Sequence, residues 1–184
     1  MFDAPPFRFL PGEYRVRRAT AAWEHAGCAR LRRAVFCDEQ GIFDGDDRDA
    51  IDAHAIPLAA IACVAGQPEV VVGTVRIHRD ADGMWWGSRL AVHADYRRSA
   101  WLGSALIRFA VGHAHALGCR RFLAQVQEAN VPFFVDLHWR TLRPTVVRGR
   151  PHRLMAAELA HYPPCPQPDV ALYPAARDRR AVAA

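Results

Sequence analysis

Two adjacent arginines and a serine, Arg97-Arg98-Ser99, lead into Trp101-Leu102-Gly103-Ser104 and then into a long segment with an apolar stripe. A helix start leaves N–H groups without intrahelical partners, and the aligned peptide dipoles add partial positive charge there. A phosphate satisfies both, small residues let its oxygens reach the amides, and arginines add charge. The chemistry this run could do is therefore anion binding. The plainer alternative is a strand-turn-helix crossover that holds nothing. Trp101 is the awkward residue, since it stands where glycine would most ease a close backbone approach.

Other residues could move a proton. Glu128 follows an apolar run, and His78 ends the segment VVVGTVRIH. Asp46, Asp47, Asp49 and Asp52 form a dense acidic loop that lacks the glycine an EF-hand needs at its sixth position. It reads either as a solvated turn or as a wall that attracts a cationic amine. No metal site is expected: the five cysteines are widely spaced with no C-x-x-C pair, so reduced thiols in a cytoplasmic protein are the plain reading.

These residues need elements to hold them. EYRVRRAT alternates as a first strand, and AAWEHAGCARLRRAVFCDEQ has helical spacing. PLAAIACV, VVVGTVRIH and MWWGSRLAV read as an antiparallel meander separated by turn signals. Leu102, Ala105, Leu106, Phe109, His113 and Leu117 mark a helix packed on a sheet, stopped by Gly118. RRFLAQVQ reads as a strand, VPFFVDLHW as a short helix, and TVVRG and HRLMAAEL as closing strands. The order argues for an α/β (α+β) domain with a mixed, mostly antiparallel sheet of six to seven strands and about four helices. One domain is expected over residues 1–160, with a Pro/Ala/Arg-rich tail over 161–184.

Partners are bounded by charge and hydropathy. The net charge of +5 is carried entirely by arginine and spread along the chain, which argues against nucleic acid. The most apolar stretch, AIPLAAIACVAG, falls well short of the roughly 20 residues needed to span a membrane, and MFDAPPFRFLPG has no signal pattern.

The segment RLAVHADYRRSAWLGSALI resembles the acyl-CoA-binding segment of the GNAT N-acetyltransferase superfamily. There a strand leads to R/Q-x-x-G-x-G/A and a helix; Arg98 takes its first position, Trp101 its first glycine and Gly103 its second. QEANVPFFVDLHW and VVVGTVRIH are similar to two further family segments, and the resemblance covers roughly residues 13 to 160. EQGIFDGDDRDAIDAHAIP, WWGSRLAV and LHWRTL with RGRPHRLM look like the nitrogen-starvation acetyltransferases associated with nitrilase genes.

The resemblance implies a twisted GNAT-like sheet whose fourth and fifth strands splay to admit acetyl-CoA as acyl donor. Leu90, Ala91 and Val92 would pair with the pantetheine arm. Arg97 and the amides from Arg98 through Trp101, Leu102, Gly103 and Ser104 would hold the pyrophosphate. Asn130 would bond the arm near the thioester, with Phe133 and Phe134 packed against it. A small-molecule amine would be the acceptor, and a homodimer would be in keeping with the superfamily.

Acyl transfer needs a neutral amine, a donor for the oxyanion and an outlet for the thiolate. Candidates for the base are Glu128, His78 and His138, which replaces a glycine usual in the family. The tyrosine that many members use to protonate the thiolate is Phe134 here. His152 matches the closer branch or simply packs a strand. Three functions stay open: an acetyltransferase, a catalytically weak acyl-CoA-binding module acting through a partner, and an acyl-homoserine-lactone synthase, since RRAVFCDEQG is similar to the start of those enzymes.

Overall fold

Alternation along the strands decides which side chains meet which helix, and it builds a sheet with two different faces. The computed structural model describes residues 12–97, 101–167 and 169–172. Its elements are β1 (Glu13–Arg18), α1 (Ala22–Arg33), β2 (Ile56–Val64), β3 (Gln67–Arg79), β4 (Trp85–Val92), α2 (Trp101–Ala116), β5 (Phe122–Gln127), α3 (Val131–Asp136), β6 (Trp139–Val147), β7 (Arg150–Ala157) and β8 (Asp169–Leu172). The sheet runs β6-β7-β5-β4-β3-β2-β1-β8, and all its neighbours are antiparallel except β4 and β5.

One face packs on α2. Leu58, Ala60, Val72, Val75 and Ile77 meet Leu102, Leu106, Ala110 and Val111 in the larger core. The intervening residues Ala59, Ile61 and Val71 point to the other face, against Cys28, Leu31 and Val35 of α1 and its continuation. Gly27 lets α1 lie close, since a Cβ there would sit 2.7 Å from Val71. Glu24 fastens its first turn: the buried carboxylate accepts from the Thr20 and Ala21 amides at 2.7 and 2.9 Å and pairs with Arg17.

Three irregularities shape the site. α1 runs directly into a π-helical turn, Ala34–Glu39, which swings Phe36 and Gln40 over the sheet. β4 bulges at Arg89-Leu90, two residues that lie opposite Val75 alone, and Arg89 takes φ +56°. β4 and β5 pair only from Trp85–Phe122 to Gly87–Ala124, after which they part.

The structure has eight strands and three α-helices among the described residues, where the sequence suggested six to seven and about four. The additional strand comes from the segment read as a tail. Pro163 and Cys165 lie across α2 at Gly112, with the Cys165 amide donating to the Gly112 carbonyl at 2.9 Å. Val170 and Leu172 then pair with Val16 and Tyr14, and Asp169 accepts from Arg15 at 3.2 Å. The other helical stretches are short 3-10 or π turns. The helix expected over VPFFVDLHW ends at Asp136, because His138 adopts φ +61° and Trp139 opens β6. No helix of the described residues is long and apolar enough to cross a membrane.

Candidate active site

Where β4 and β5 part, a cavity of about 610 Å³ passes through the sheet and is lined from both faces. On the α1 face its walls are Phe36, Phe43, Asp49, Arg76, His78 and Trp86, with Gln125 and Gln127 of β5 and Arg148 and His152 from the β6–β7 hairpin. On the α2 face they are Val75, Ile107, Ala110, Val111, Phe122, Phe134 and Trp139.

The α1-face wall is held by a closed ring of three arginines and three aspartates. Arg32 bonds Asp47 at 2.7 Å and Asp52 at 2.6 Å. Arg76 bonds Asp49 at 2.7 and 2.8 Å and lies 2.7 Å from Asp52. Arg89 closes the ring, reaching Asp47 at 2.8 Å and Asp49 at 3.1 Å. The bulge at Arg89 aims this side chain, and Arg76 also donates to Ser88 at 2.9 Å. Asp47 is 1% exposed and Arg76 3%, so Asp47 is drawn out of solvent by the arginines, while Asp46 stays exposed and bonds Arg48 of its own loop at 2.7 Å. Burial opposes ionisation of Asp52, yet Arg32, the Asp49 amide and Arg76 hold its pKa well below the usual carboxylate range. The Arg76 hydrogen bonds likewise depress Asp49.

His78 stands on the same face of β3 as Arg76. Its ring is edge-on to His54 at 5.8 Å, and its Nδ1 is buried with no hydrogen-bond partner among the described residues. Burial, then the Arg76 charge and His54, hold its pKa below the ordinary imidazole value, so it is neutral at pH 7. His152 is buried with Nδ1 2.9 Å from the Arg150 carbonyl. A carbonyl only accepts, so Nδ1 is the donor in this contact.

The other residues singled out in the sequence fall in several places. Glu128 lies outside the cavity lining, and Arg153 grips its carboxylate at 2.8 and 2.9 Å. Those bonds lower its pKa, which makes it a weaker base. His138 is exposed and stacked on His161 at 3.8 Å, also away from the cavity. Leu90 lines the cavity, Ala91 turns into the α1-face core, and Val92 accepts from Arg97 Nε at 2.6 Å through its carbonyl. The Arg97 guanidinium is engaged by Glu39 at 2.5 and 2.8 Å. Arg98 lies outside the described residues.

Trp101 turns toward β1, edge-on to Tyr14 at 5.0 Å, and does not line the cavity. Leu102 and Gly103 are buried in the first turn of α2 and Ser104 is half-buried beside them. A Cβ on Gly103 would touch the Phe133 ring at 3.5 Å, so α2 and α3 converge there. Asn130 and Phe134 line the cavity, and Phe133 stacks edge-on to Phe134. None of the described tyrosines lines it; the Tyr162 hydroxyl is spent on the Leu137 carbonyl and on Trp139 Nε1. Sequence reasoning missed the ring as a unit, Phe43 and Arg148. Arg89 and Arg148 both stack on Phe43, at 4.4 and 4.2 Å from its centroid, and Arg148 pairs with no carboxylate among the described residues.

Comparison with known proteins places this geometry. The acetyltransferase (GNAT) family matches residues 21–138. Among solved structures, a candidate N-acetyltransferase from Lactobacillus plantarum is 22% identical with a TM-score of 0.69, covering 78% of this chain and 97% of its own. An acyl-CoA N-acyltransferase from Pseudomonas aeruginosa is 17% identical at TM-score 0.63, covering 78% and 98%. FeeM, an N-acyl amino acid synthase from uncultured soil microbes, is 14% identical at TM-score 0.65, covering 83% and 95%. At these identities the likeness is one of fold. No curated protein matches the chain by sequence.

The ring makes a stability prediction. Replacing Asp47 with Asn leaves Arg32 and Arg89 short of a buried countercharge and should cost about 3–5 kcal/mol, read as a lower urea midpoint. Asp49 and Asp52 have native pKa values below their unfolded ones, so the unfolded chain binds more protons in acid. Stability should therefore fall as pH drops below about 4; a flat profile from pH 6 to 3 would contradict the ring.

Proposed function

This chain belongs to the acetyltransferase (GNAT) family, and we propose that it transfers the acyl group of acetyl-CoA to the primary amine of a small, amino-acid-like metabolite. Acetyl-CoA is the acyl donor of this family. The observation that carries the reading is the parting of β4 and β5 beside the His78 imidazole, whose Nδ1 has no hydrogen-bond partner among the described residues. The first turn of α2 supplies the anion site, with Leu102, Gly103 and Ser104 as its amides. The free edge of β4 from Ser88 to Val92 takes the donor arm as an added strand, with Asn130, Phe133 and Phe134 opposite.

The thioester supplies an activated carbonyl. The amine lone pair forms the C–N bond, the C–S bond breaks with its electrons leaving on sulfur, and the amine proton passes to His78. Neutral at pH 7, His78 can accept it, whereas Glu128 is tied to Arg153. With a phenylalanine at position 134, the thiolate leaves unassisted; a thiol pKa of about 8–9 permits that.

Arg148 favours an acceptor with a carboxylate, because a guanidinium that lines the cavity, stacks on Phe43 and pairs with no carboxylate among the described residues is a ready bidentate partner. Residues 39–57, which resemble the nitrogen-starvation branch, contribute all three ring carboxylates, and this supports placing the chain there. Five unpaired cysteines fit a cytoplasmic location.

Calorimetric titration tests the donor site: Gly103→Leu should weaken acetyl-CoA binding about tenfold or more with little change in melting temperature, and unchanged affinity would remove the α2 cradle. For the base, kcat/KM should rise with pH through a midpoint below about 6.5, since the neutral imidazole is the active form. His78→Gln should abolish that limb and lower kcat/KM about 100-fold; an intact limb would acquit His78. Arg148→Gln should raise KM for amino-acid acceptors and narrow their advantage over amines that lack a carboxylate.

A further inference from the structure

The part of the cavity behind the sheet is larger than one methyl group requires. We propose that it is an acyl-tail pocket, and that besides acetyl-CoA this enzyme accepts longer acyl thioesters, with chains of up to about six carbons. The inference rests on the acyltransferase reading and names the donor class that its site accepts.

The cavity does not stop at the plane of the sheet. Ile107, Ala110 and Val111 line it although they are 4%, 2% and 0% exposed, so the space reaches under α2. Ile107 to Val111 spans about 6 Å of helix at 1.5 Å per residue, a depth of several methylenes. Phe122 and Trp139 stand edge to face at 5.8 Å and complete the wall with Val75.

This wall is apolar in fact as well as in residue type. Its one polar group, the Trp139 indole N–H, donates to the Tyr162 hydroxyl at 3.0 Å. A ligand there finds no hydrogen bond, and a space of that kind suits hydrocarbon better than water. The passage from the α1 face is kept open by small residues. Gly87 and Ala124 are the last β4–β5 pair before the strands part, and a Cβ on Gly87 would meet the Phe122 ring at 2.9 Å.

The two faces therefore divide the substrates. Arg76, His78, Asp49 and Arg148 put polar and charged groups on the α1 face, where an amine must lose its proton. The reacting carbonyl sits in the gap, and a tail has only the α2 face to enter. The transfer is unchanged: the C–N bond forms, the C–S bond breaks with its electron pair on sulfur, and the amine proton goes to His78.

Calorimetry with CoA, acetyl-CoA, butyryl-CoA and hexanoyl-CoA on the full chain tests this, alongside turnover with one fixed amine. Each fully buried methylene is worth about fourfold, and hexanoyl has four more than acetyl, so burial of only half of them should make hexanoyl-CoA bind at least about tenfold more tightly than acetyl-CoA. Ala110→Phe plugs the pocket and should bring that ratio close to one; Ala124→Leu gives an independent plug, and melting curves show whether each variant folds. A ratio kept in both folded plugs, or equal affinity across chain lengths with acetyl transfer intact, overturns the tail pocket and leaves acyl transfer standing. A preference that follows the acceptor's apolar side chain instead of the donor's also overturns it. If no CoA thioester binds at all, the acyltransferase reading fails too.

Discussion

The closed ring of Arg32, Arg76, Arg89, Asp47, Asp49 and Asp52 is the interaction on which the rest of the site depends. Its arginines come from α1, β3 and β4, and its aspartates from one loop between α1 and β2. No single pair would fix that loop, because an isolated ion pair at a surface contributes little. A ring in which every arginine faces two carboxylates, and every carboxylate two arginines, compensates the desolvation of each member. It is neutral as a whole, three charges against three. The cleft beside it can therefore hold an uncharged imidazole next to a buried guanidinium, Arg76, whose charge resists protonation of His78.

The second constraint is geometric. A sheet whose strands stay paired has no room for a ligand in its plane. Here pairing between β4 and β5 ends after three residue pairs, and the bulge opposite Val75 turns β4 further away. Parallel strands cannot be joined by a tight turn, so α2 crosses between them and sets Ile107, Ala110 and Val111 against the gap. Gln40, carried by the π-helical turn, reaches Gln127 on β5 at 3.1 Å and accepts from Arg150 at 2.7 Å, spanning the opening from the α1 side.

Much of this was legible in the sequence. The meander, the α2 stripe and the strand-helix-strand unit follow from period-two and period-3.6 patterns, which report burial directly. β8 was not legible, because a four-residue strand among prolines is held by its pairing with β1 and by Asp169 on Arg15, both distant in sequence. The ring was hidden for a related reason: its members look like ordinary charges one at a time. A signal did exist. In VVVGTVRIH, Arg76 occupies an inward position of an apolar strand, and a buried arginine requires carboxylates. The acid-dense loop just upstream was the nearest source.

Trp101 and Phe134 illustrate how a site tolerates departures from its family pattern. Glycine at position 101 would help only if the side chain had to share space with the anion. Here the ring turns toward β1 and packs edge-on to Tyr14, so it stays out of the cavity lining while β1 gains an aromatic contact. At position 134 the side chain is a phenylalanine, which packs edge-on against Trp139 at 5.1 Å. That contact extends the apolar wall behind the gap. A hydroxyl in its place would need a partner there, and the nearby Trp139 N–H is already bonded to Tyr162. Position 134 thereby adds to the hydrocarbon lining of the cavity and not to its hydrogen-bonding groups.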